Sequence, residues 1–292
     1  MNIIKKTIDL GGGRIVEIET GKLAKQADGS ALIKYGNTML LATVCADKEA
    51  KEGVDFMPLT VEYRENMAAV GRFPGSFFRR EGKSSDDEVL VARLIDSALR
   101  PLFPEDFHAN VVVQVTMVSG DLNELPDAFA CLAASAALAV SDIPFNGPIS
   151  EVRVAKIDGK LVINPNKTDV ERAEIDLIVA GSAQSIVMVE GEMNEVSETE
   201  MVEAIMFAHD MIKKQVAVLT ELQTEAGKTE KRTYVHEKHN EELRAKLNAF
   251  CYDKCCVVAA SEIGDKKVRG AAFKAIKEEF LATLTEDEKK AN

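Results

Sequence analysis

The chain has 292 residues, 46% of them hydrophobic, and a formal net charge of -12, which is enough apolar material for a full core and length to spare for a second, smaller domain. A pI near 5.0 excludes a generally basic, coat-like nucleic-acid binder and confines any polyanion site to a local basic patch. The opening MNIIKKTIDLGGG is too short and polar for a secretory signal and no apolar run approaches membrane-spanning length, so the expectation is a cytoplasmic protein without membrane contact.

In chain order, DLGGGR near the start lacks the strand-then-helix context of a dinucleotide fingerprint and reads as a turn. Residues 14–46 carry turn signals at Thr20-Gly21, Asp28-Gly29 and Gly36-Asn37 between β-prone runs, the pattern of an antiparallel meander. MPLTVEY (57–63) and NVVVQVTMVSG (110–120) are further strands. Between them a helix starts at the capping box Ser85-x-x-Glu88 and stops at Pro101. A second helix, 125–141, is so rich in small apolar residues that it must pack closely on a sheet. Two hairpins follow, 150–165 turning at Asp158-Gly159 and 175–191 turning near Gly181-Ser182. A third helix runs from the capping box Ser197-x-x-Glu200 to about Leu222. Together these make an α+β domain over 1–222, antiparallel strands with helices packed on them.

Apolar residues vanish in TEAGKTEKRT, so 223–234 reads as a linker. Beyond it, 235–251 and 265–284 read as amphipathic helices on either side of CYDKCCVVAASEIG, forming an all-helical domain over 235–292. Thr285-x-x-Glu288 looks like the cap of a third helix, so this domain is expected to be cut off in mid-course. Of the five cysteines, Cys45 and Cys131 sit among apolar residues and are expected in the core. His236, His239, Cys251, Cys255 and Cys256 match no common zinc spacing, and His108 and His209 have no nucleophile beside them.

The stretch GRFPGSFFRREGKSSDDE stands apart. Gly71, Pro74, Gly75 and Gly82 keep Phe77, Phe78, Arg79 and Arg80 out of regular structure. Aromatic rings stack on bases and guanidiniums grip phosphates, so single-stranded RNA or DNA is the ligand this pairing suits. The alternative is that a phenylalanine plugs the core or a subunit interface while the arginines pair with Glu81 and Asp87. In the helix that follows, Arg93, Asp96, Ser97 and Arg100 form one polar stripe. Asp96 is placed to pair with one arginine, leaving either a solvated, salt-bridged face or an arginine turned toward the same strand of nucleic acid.

These residues, with VVVQVTMVSGDLNELPDAFACLAASAAL and PFNGPI, resemble the first ribonuclease PH-like core of the polynucleotide phosphorylase family, and the likeness runs from residue 16 to the end. The resemblance implies a ribonuclease PH-like (ribosomal protein S5 domain 2-like) core and a parent enzyme that shortens RNA from its 3′ end. Inorganic phosphate attacks the terminal phosphodiester, nucleoside diphosphates leave, and the reaction also runs in reverse. It further implies a homotrimeric ring, a second core downstream, membership of an RNA-degradation assembly, and Mg²⁺ and phosphate as cofactors of the parent. Phe77, Phe78, Arg79 and Arg80 would line the channel's constriction and grip the RNA, with Arg93 and Arg100 beside them.

Three departures bear on activity. Where a catalytic core of the family has serines that hold phosphate, this chain has Leu125-Pro126-Asp127. Where it has an Asp-x5-Asp-x-Lys pattern, this chain keeps Asp176 but has Val170 and Ile178 at the flanking positions, with Asp169 one residue out of register. Ser97-Ala98 replaces a common Arg-Pro. The resemblance therefore implies no catalytic residue and no metal ligand in this core, which serves RNA binding and assembly. The rival expectation is a stand-alone, non-catalytic RNA-binding or ring-scaffold protein of the same fold.

Overall fold

The structure, a computed structural model, describes residues 3–51, 53–73, 75, 82–235 and 240–285. The chain divides into two compact units, Met1–Val235 and His236–Asn292.

The first unit is built on two sheets. Strands β1 (Ile4–Asp9), β2 (Ile15–Thr20), β3 (Gly29–Tyr35) and β4 (Thr38–Ala46) form a meander, and β5 (Leu59–Glu65) leads through α1 (Asp86–Leu99) to β6 (Val111–Ser119). The sheet order is β1-β2-β3-β4-β6-β5, antiparallel except that β5 lies parallel to β6, which is why a helical crossover joins them. After a 3₁₀ turn (Pro126–Phe129) come α2 (Ala130–Ala139), β7 (Ser150–Ile157), β8 (Lys160–Ile163), the short α3 (Lys167–Val170), β9 (Ile175–Gly181), β10 (Ile186–Met193) and α4 (Glu198–Glu225). The second sheet is antiparallel, ordered β10-β9-β7-β8.

All ten residues of α2 are buried, because this helix packs on both sheets and on α1 and α4. Small side chains allow that approach, and Gly29 on β3 completes it: a Cβ there would sit 2.1 Å from the Ala137 carbonyl. The expected meander, both hairpins and the Asp158-Gly159 turn are present, the turn residues at φ +50 and +73 as a two-residue hairpin loop requires. Strand β1 adds an element ahead of the meander, paired to β2 across the turn at Gly11–Gly13. Cys131 is buried, whereas Cys45 is exposed. Its neighbours Ala42 and Val44 take the inward positions of β4, so strand alternation turns Cys45 outward.

Glu88 ties the start of α1 to β5. Its Oε2 accepts from the Ser85 amide at 2.6 Å, Ser85 Oγ accepts from the Glu88 amide at 3.1 Å, and Glu88 Oε1 accepts from the Glu65 amide on β5 at 2.8 Å. Ser85→Ala is therefore expected to cost about 1 kcal/mol, and Glu88→Ala about 2 kcal/mol because it frees two backbone donors. Urea titrations of the two variants measure this, and equal costs would show that the bond to β5 contributes nothing.

Residues 223–234 lie within the first unit. Lys231 Nζ donates to the carbonyls of Leu138, Ala139 and Ser141 at the end of α2, and Arg232 pairs with Asp142 at 2.5 Å and Asp28 at 3.1 Å. Basic side chains at a helix C-terminus satisfy its last carbonyls.

In the second unit, α5 (Glu241–Ala260) and α6 (Lys266–Thr283) are the described helices. α5 starts later than the expected 235 and continues through CYDKCCVVAA, which was expected to connect two helices. That run contains no glycine or proline, and the break comes only before Asp265, whose Oδ1 caps α6 by accepting from the Lys267 and Val268 amides. The unit is held by Phe250 and Phe280, ring centroids 5.7 Å apart, and by Lys254 with Glu279.

Candidate functional site

The polar centre of the first unit is Arg153. Strand β7 alternates, so Glu151 and Arg153 share one face. Arg153 lies opposite Ile178 on β9, with Asp176 one step along the same face. Its Nη1 donates to Asp176 Oδ2 at 2.6 Å, and its Nη2 donates to Asp127 Oδ2, from the turn before α2, at 2.5 Å. The three side chains are 14–16% exposed. Burial pulls the Arg153 pKa down, but Asp127 and Asp176 outweigh it and the guanidinium is held above its usual value. Burial also pushes Asp176 up, against the attraction of Arg153.

Glu151, two residues before Arg153 on the same face of β7, is 1% exposed. Burial, reinforced by the charge of Asp127 and opposed by Arg153, pushes its carboxyl up to about 8. Among the described residues Glu151 Oε2, Asp176 Oδ1 and Arg153 Nε have no hydrogen-bond partner. On β5 the buried Tyr63 donates its hydroxyl to Glu65 Oε1 at 2.7 Å, and burial raises the Glu65 carboxyl above its usual value.

Two clefts of about 580 Å³ each flank α1. One is floored by Leu90, Leu94, Ile178 and Met188 and reaches Arg153 and Asp176; the other lies between α1 and β5. Arg93 lines both, is exposed, and has no ion pair among the described residues. Arg100 is differently placed. Its Nε and Nη2 donate to the Asp96 carboxylate at 3.0 and 2.6 Å, and Nη1 and Nη2 reach the carbonyls of Met57 and Leu59 at 3.3 and 3.4 Å. Arg100 thus fastens α1 to the edge of the first sheet, and the polar stripe divides into one engaged arginine and one without an ion pair among the described residues. Phe77, Phe78, Arg79 and Arg80 lie outside the described residues, as do His236 and His239.

The Mg²⁺ expected of the parent enzyme does not fit here. Asp127 and Asp176 are both bonded to a fixed cation, Ile178 is apolar, and Asp169, the residue one place out of register, pairs with Arg172 at 3.0 Å. Among the described residues no three histidine, cysteine or carboxylate side chains stand close enough to hold a metal ion. Sequence reading noticed Asp127 and Asp176 singly and missed Arg153 and Glu151. The available signal was a charged pair at inward positions of the alternating run SEVRVAKI.

Two sheets enclosing a small-residue helix, with a polar centre where the second sheet meets the turn before it, define a ribonuclease PH-like core. The family model described as 3′ exoribonuclease family, domain 1, matches residues 12–144, and domain 2 matches residues 147–211. The chain belongs to this 3′ exoribonuclease family. It is 58% identical over 288 residues to the polyribonucleotide nucleotidyltransferases of Porphyromonas gingivalis and Bacteroides fragilis, matching 99% of this chain and 39% and 41% of those proteins. To that of Cytophaga hutchinsonii it is 55% identical over 287 residues. The chain thus spans about 40% of the length of the curated relatives it matches. A solved structure titled "archaeoglobus fulgidus exosome with RNA bound to the active site" superposes with a TM-score of 0.55 at 17% identity, over 70% of this chain and 87% of that one, a likeness of fold.

Proposed function

We propose that the chain is the N-terminal part of a phosphate-dependent 3′-to-5′ exoribonuclease, and that this core holds single-stranded RNA without cutting it. The identity to polyribonucleotide nucleotidyltransferases supports the enzyme class. The observation that carries the non-catalytic role is the closed Asp127–Arg153–Asp176 triad: an anionic phosphate nucleophile would meet the carboxylate of Asp127, and neither aspartate is free for a metal. Mg²⁺, phosphate and the bond-breaking step then belong to the rest of the parent protein. A homotrimeric ring, an RNA-degradation assembly in the cytoplasm and an all-helical domain from residue 235 complete the proposal. The direct test incubates the chain with poly(A), phosphate and Mg²⁺ and measures nucleoside diphosphate. None is expected, and sustained release would overturn the reading.

RNA gripping is assigned to Phe77, Phe78, Arg79, Arg80 and Arg93. Arg93→Ala is expected to lower the slope of log K against log salt by roughly 0.7, one phosphate contact to a single strand, with little change in stability. Arg100→Ala is expected to do the reverse, because its guanidinium is bonded to its own protomer. Phe77→Ala should weaken oligonucleotide binding by about one stacked base, roughly 1 to 3 kcal/mol. Filter binding of a labelled A20 strand at several salt concentrations measures all three. An unchanged slope for Arg93→Ala together with a lowered one for Arg100→Ala would reverse the assignment.

A further inference from the structure

The geometry points to a nucleobase site on the free edge of β5: between two side-chain latches, the main chain of Val61 and Tyr63 offers an acceptor and a donor that match the hydrogen-bonding edge of one unpaired base. The inference deepens the RNA-holding reading above and rests on it for the polymer that brings the base.

The direction of the main chain carries it. β5 is the last strand of its sheet, so one side of it is unpaired. The Val111 amide donates to the Pro58 carbonyl, which turns Pro58 and, by two-residue alternation, Thr60, Glu62 and Arg64 toward β6. Met57, Leu59, Val61, Tyr63 and Glu65 therefore turn their main-chain groups outward. At the two ends these groups are taken: Arg100 donates to the carbonyls of Met57 and Leu59, and Glu88 accepts from the Glu65 amide. In the middle, the Val61 carbonyl and the Tyr63 amide have no hydrogen-bond partner among the described residues. Tyr63 is 2% exposed, and a main-chain donor that is both dry and unpaired is uncommon enough to call for an acceptor.

What surrounds the pair decides the occupant. Both residues line the cleft of about 580 Å³ between β5 and α1, a volume suited to a small ligand. An added β-strand would need the whole edge, and the Arg100 and Glu88 side chains bridge from α1 to β5 on either side of the gap, so a strand has no path through it. A single base needs only two neighbouring groups, and its Watson–Crick edge carries a donor beside an acceptor. Val89, 45% exposed, and Ala92 give the α1 wall an apolar surface for one face of the ring. The charges near the gap are engaged: both Glu88 oxygens accept from main-chain amides, and Asp96 holds Arg100. The middle of the cleft therefore suits a neutral, planar, polar group rather than an ion. Arg93, exposed in the same lining and without an ion pair among the described residues, is placed for the phosphate of that nucleotide, and the exposed Glu62 is left to accept from a ribose hydroxyl.

The test follows the Tyr63 amide resonance of the 292-residue chain by nuclear magnetic resonance as A20, AMP or inorganic phosphate is added. A20 and AMP are expected to move the Tyr63 amide proton downfield, and phosphate alone to leave it in place; a shift with A20 but not AMP assigns the site to the polymer rather than the free nucleotide. Two changes should remove the interaction. An ester in place of the Glu62–Tyr63 peptide bond, made by incorporating the α-hydroxy analogue of tyrosine, deletes only the donor and is expected to weaken AMP roughly fivefold, the equivalent of one hydrogen bond, read from the broadening of the AMP base protons. Ala92→Phe fills the cleft from the α1 wall and should abolish the Tyr63 shift. If A20 binds but neither A20 nor AMP moves the Tyr63 amide, or if the ester binds AMP as tightly as the wild type, β5 is an ordinary strand edge and the inference fails while the RNA-holding reading stands. A shift produced by phosphate alone would put an anion there and overturn it as well. If AMP moves the amide and A20 does not bind the chain at all, the RNA-holding reading fails and the site stands as one for free nucleotides.

Discussion

Arg153→Met is expected to destabilise the first unit by about 3–5 kcal/mol, the largest single-residue effect anticipated in this chain. The substitution keeps most of the side-chain volume, so the cost is electrostatic. It leaves Asp127 and Asp176 facing each other, each about 15% exposed, with no cation between them. A buried ion pair contributes little when weighed against well-packed apolar residues, but removing one partner exposes the full desolvation cost of the other. The variant Asp127→Asn/Arg153→Met/Asp176→Asn should therefore recover most of the loss, because no charge is stranded. A urea titration at pH 7 with circular dichroism detection measures both. A loss below about 1 kcal/mol for Arg153→Met alone would mean that water reaches the triad and screens it.

The elements legible in the sequence are those whose cause is local. The capping boxes at Ser85 and Ser197 mark the starts of α1 and α4 to the residue, because the signal and the bond it makes lie within one turn. The β3–β4 and β7–β8 turns are equally explicit. The burial of α2 follows from composition alone. What the sequence hides is set by distant partners. Asp127 and Asp176 lie 26 and 23 residues from Arg153, and only the pairing of β7 with β9 and the turn before α2 bring them together. Arg100 reads as half of an i, i+4 pair with Asp96, which it is, but its bonds to Met57 and Leu59 depend on how α1 lies along β5. Cys45 was readable and misread: two-residue periodicity decides its side of β4, and apolar neighbours do not. The length of α5 shows the opposite weighting, since a missing helix breaker mattered more than the polar, cysteine-rich character of 251–260.

Glu151→Gln is expected to remove a pH dependence of stability that the wild type carries between about pH 5 and 8. The Glu151 carboxyl is pushed up to about 8 in the folded chain, first by burial and then by Asp127, whereas unfolded it titrates near 4.3. Between those values the folded state binds the extra proton, so this group makes stability fall as pH rises; it contributes no pH dependence below the unfolded value, where both states are protonated. Each pH unit inside the window is worth about 1.4 kcal/mol, and from pH 5 to pH 8 the accumulated loss is on the order of 3 to 4 kcal/mol. Glutamine has the shape of the protonated acid and does not titrate. Any fixed cost of its amide in the core appears equally at both ends of the window and cancels in the difference. Urea midpoints of wild type and Glu151→Gln measured at pH 5, 6, 7 and 8 should diverge steadily in favour of the variant. Parallel curves would mean that Glu151 is ionised throughout, stabilised by Arg153 more strongly than its burial opposes, and the triad would then be a tetrad with three anions around one guanidinium.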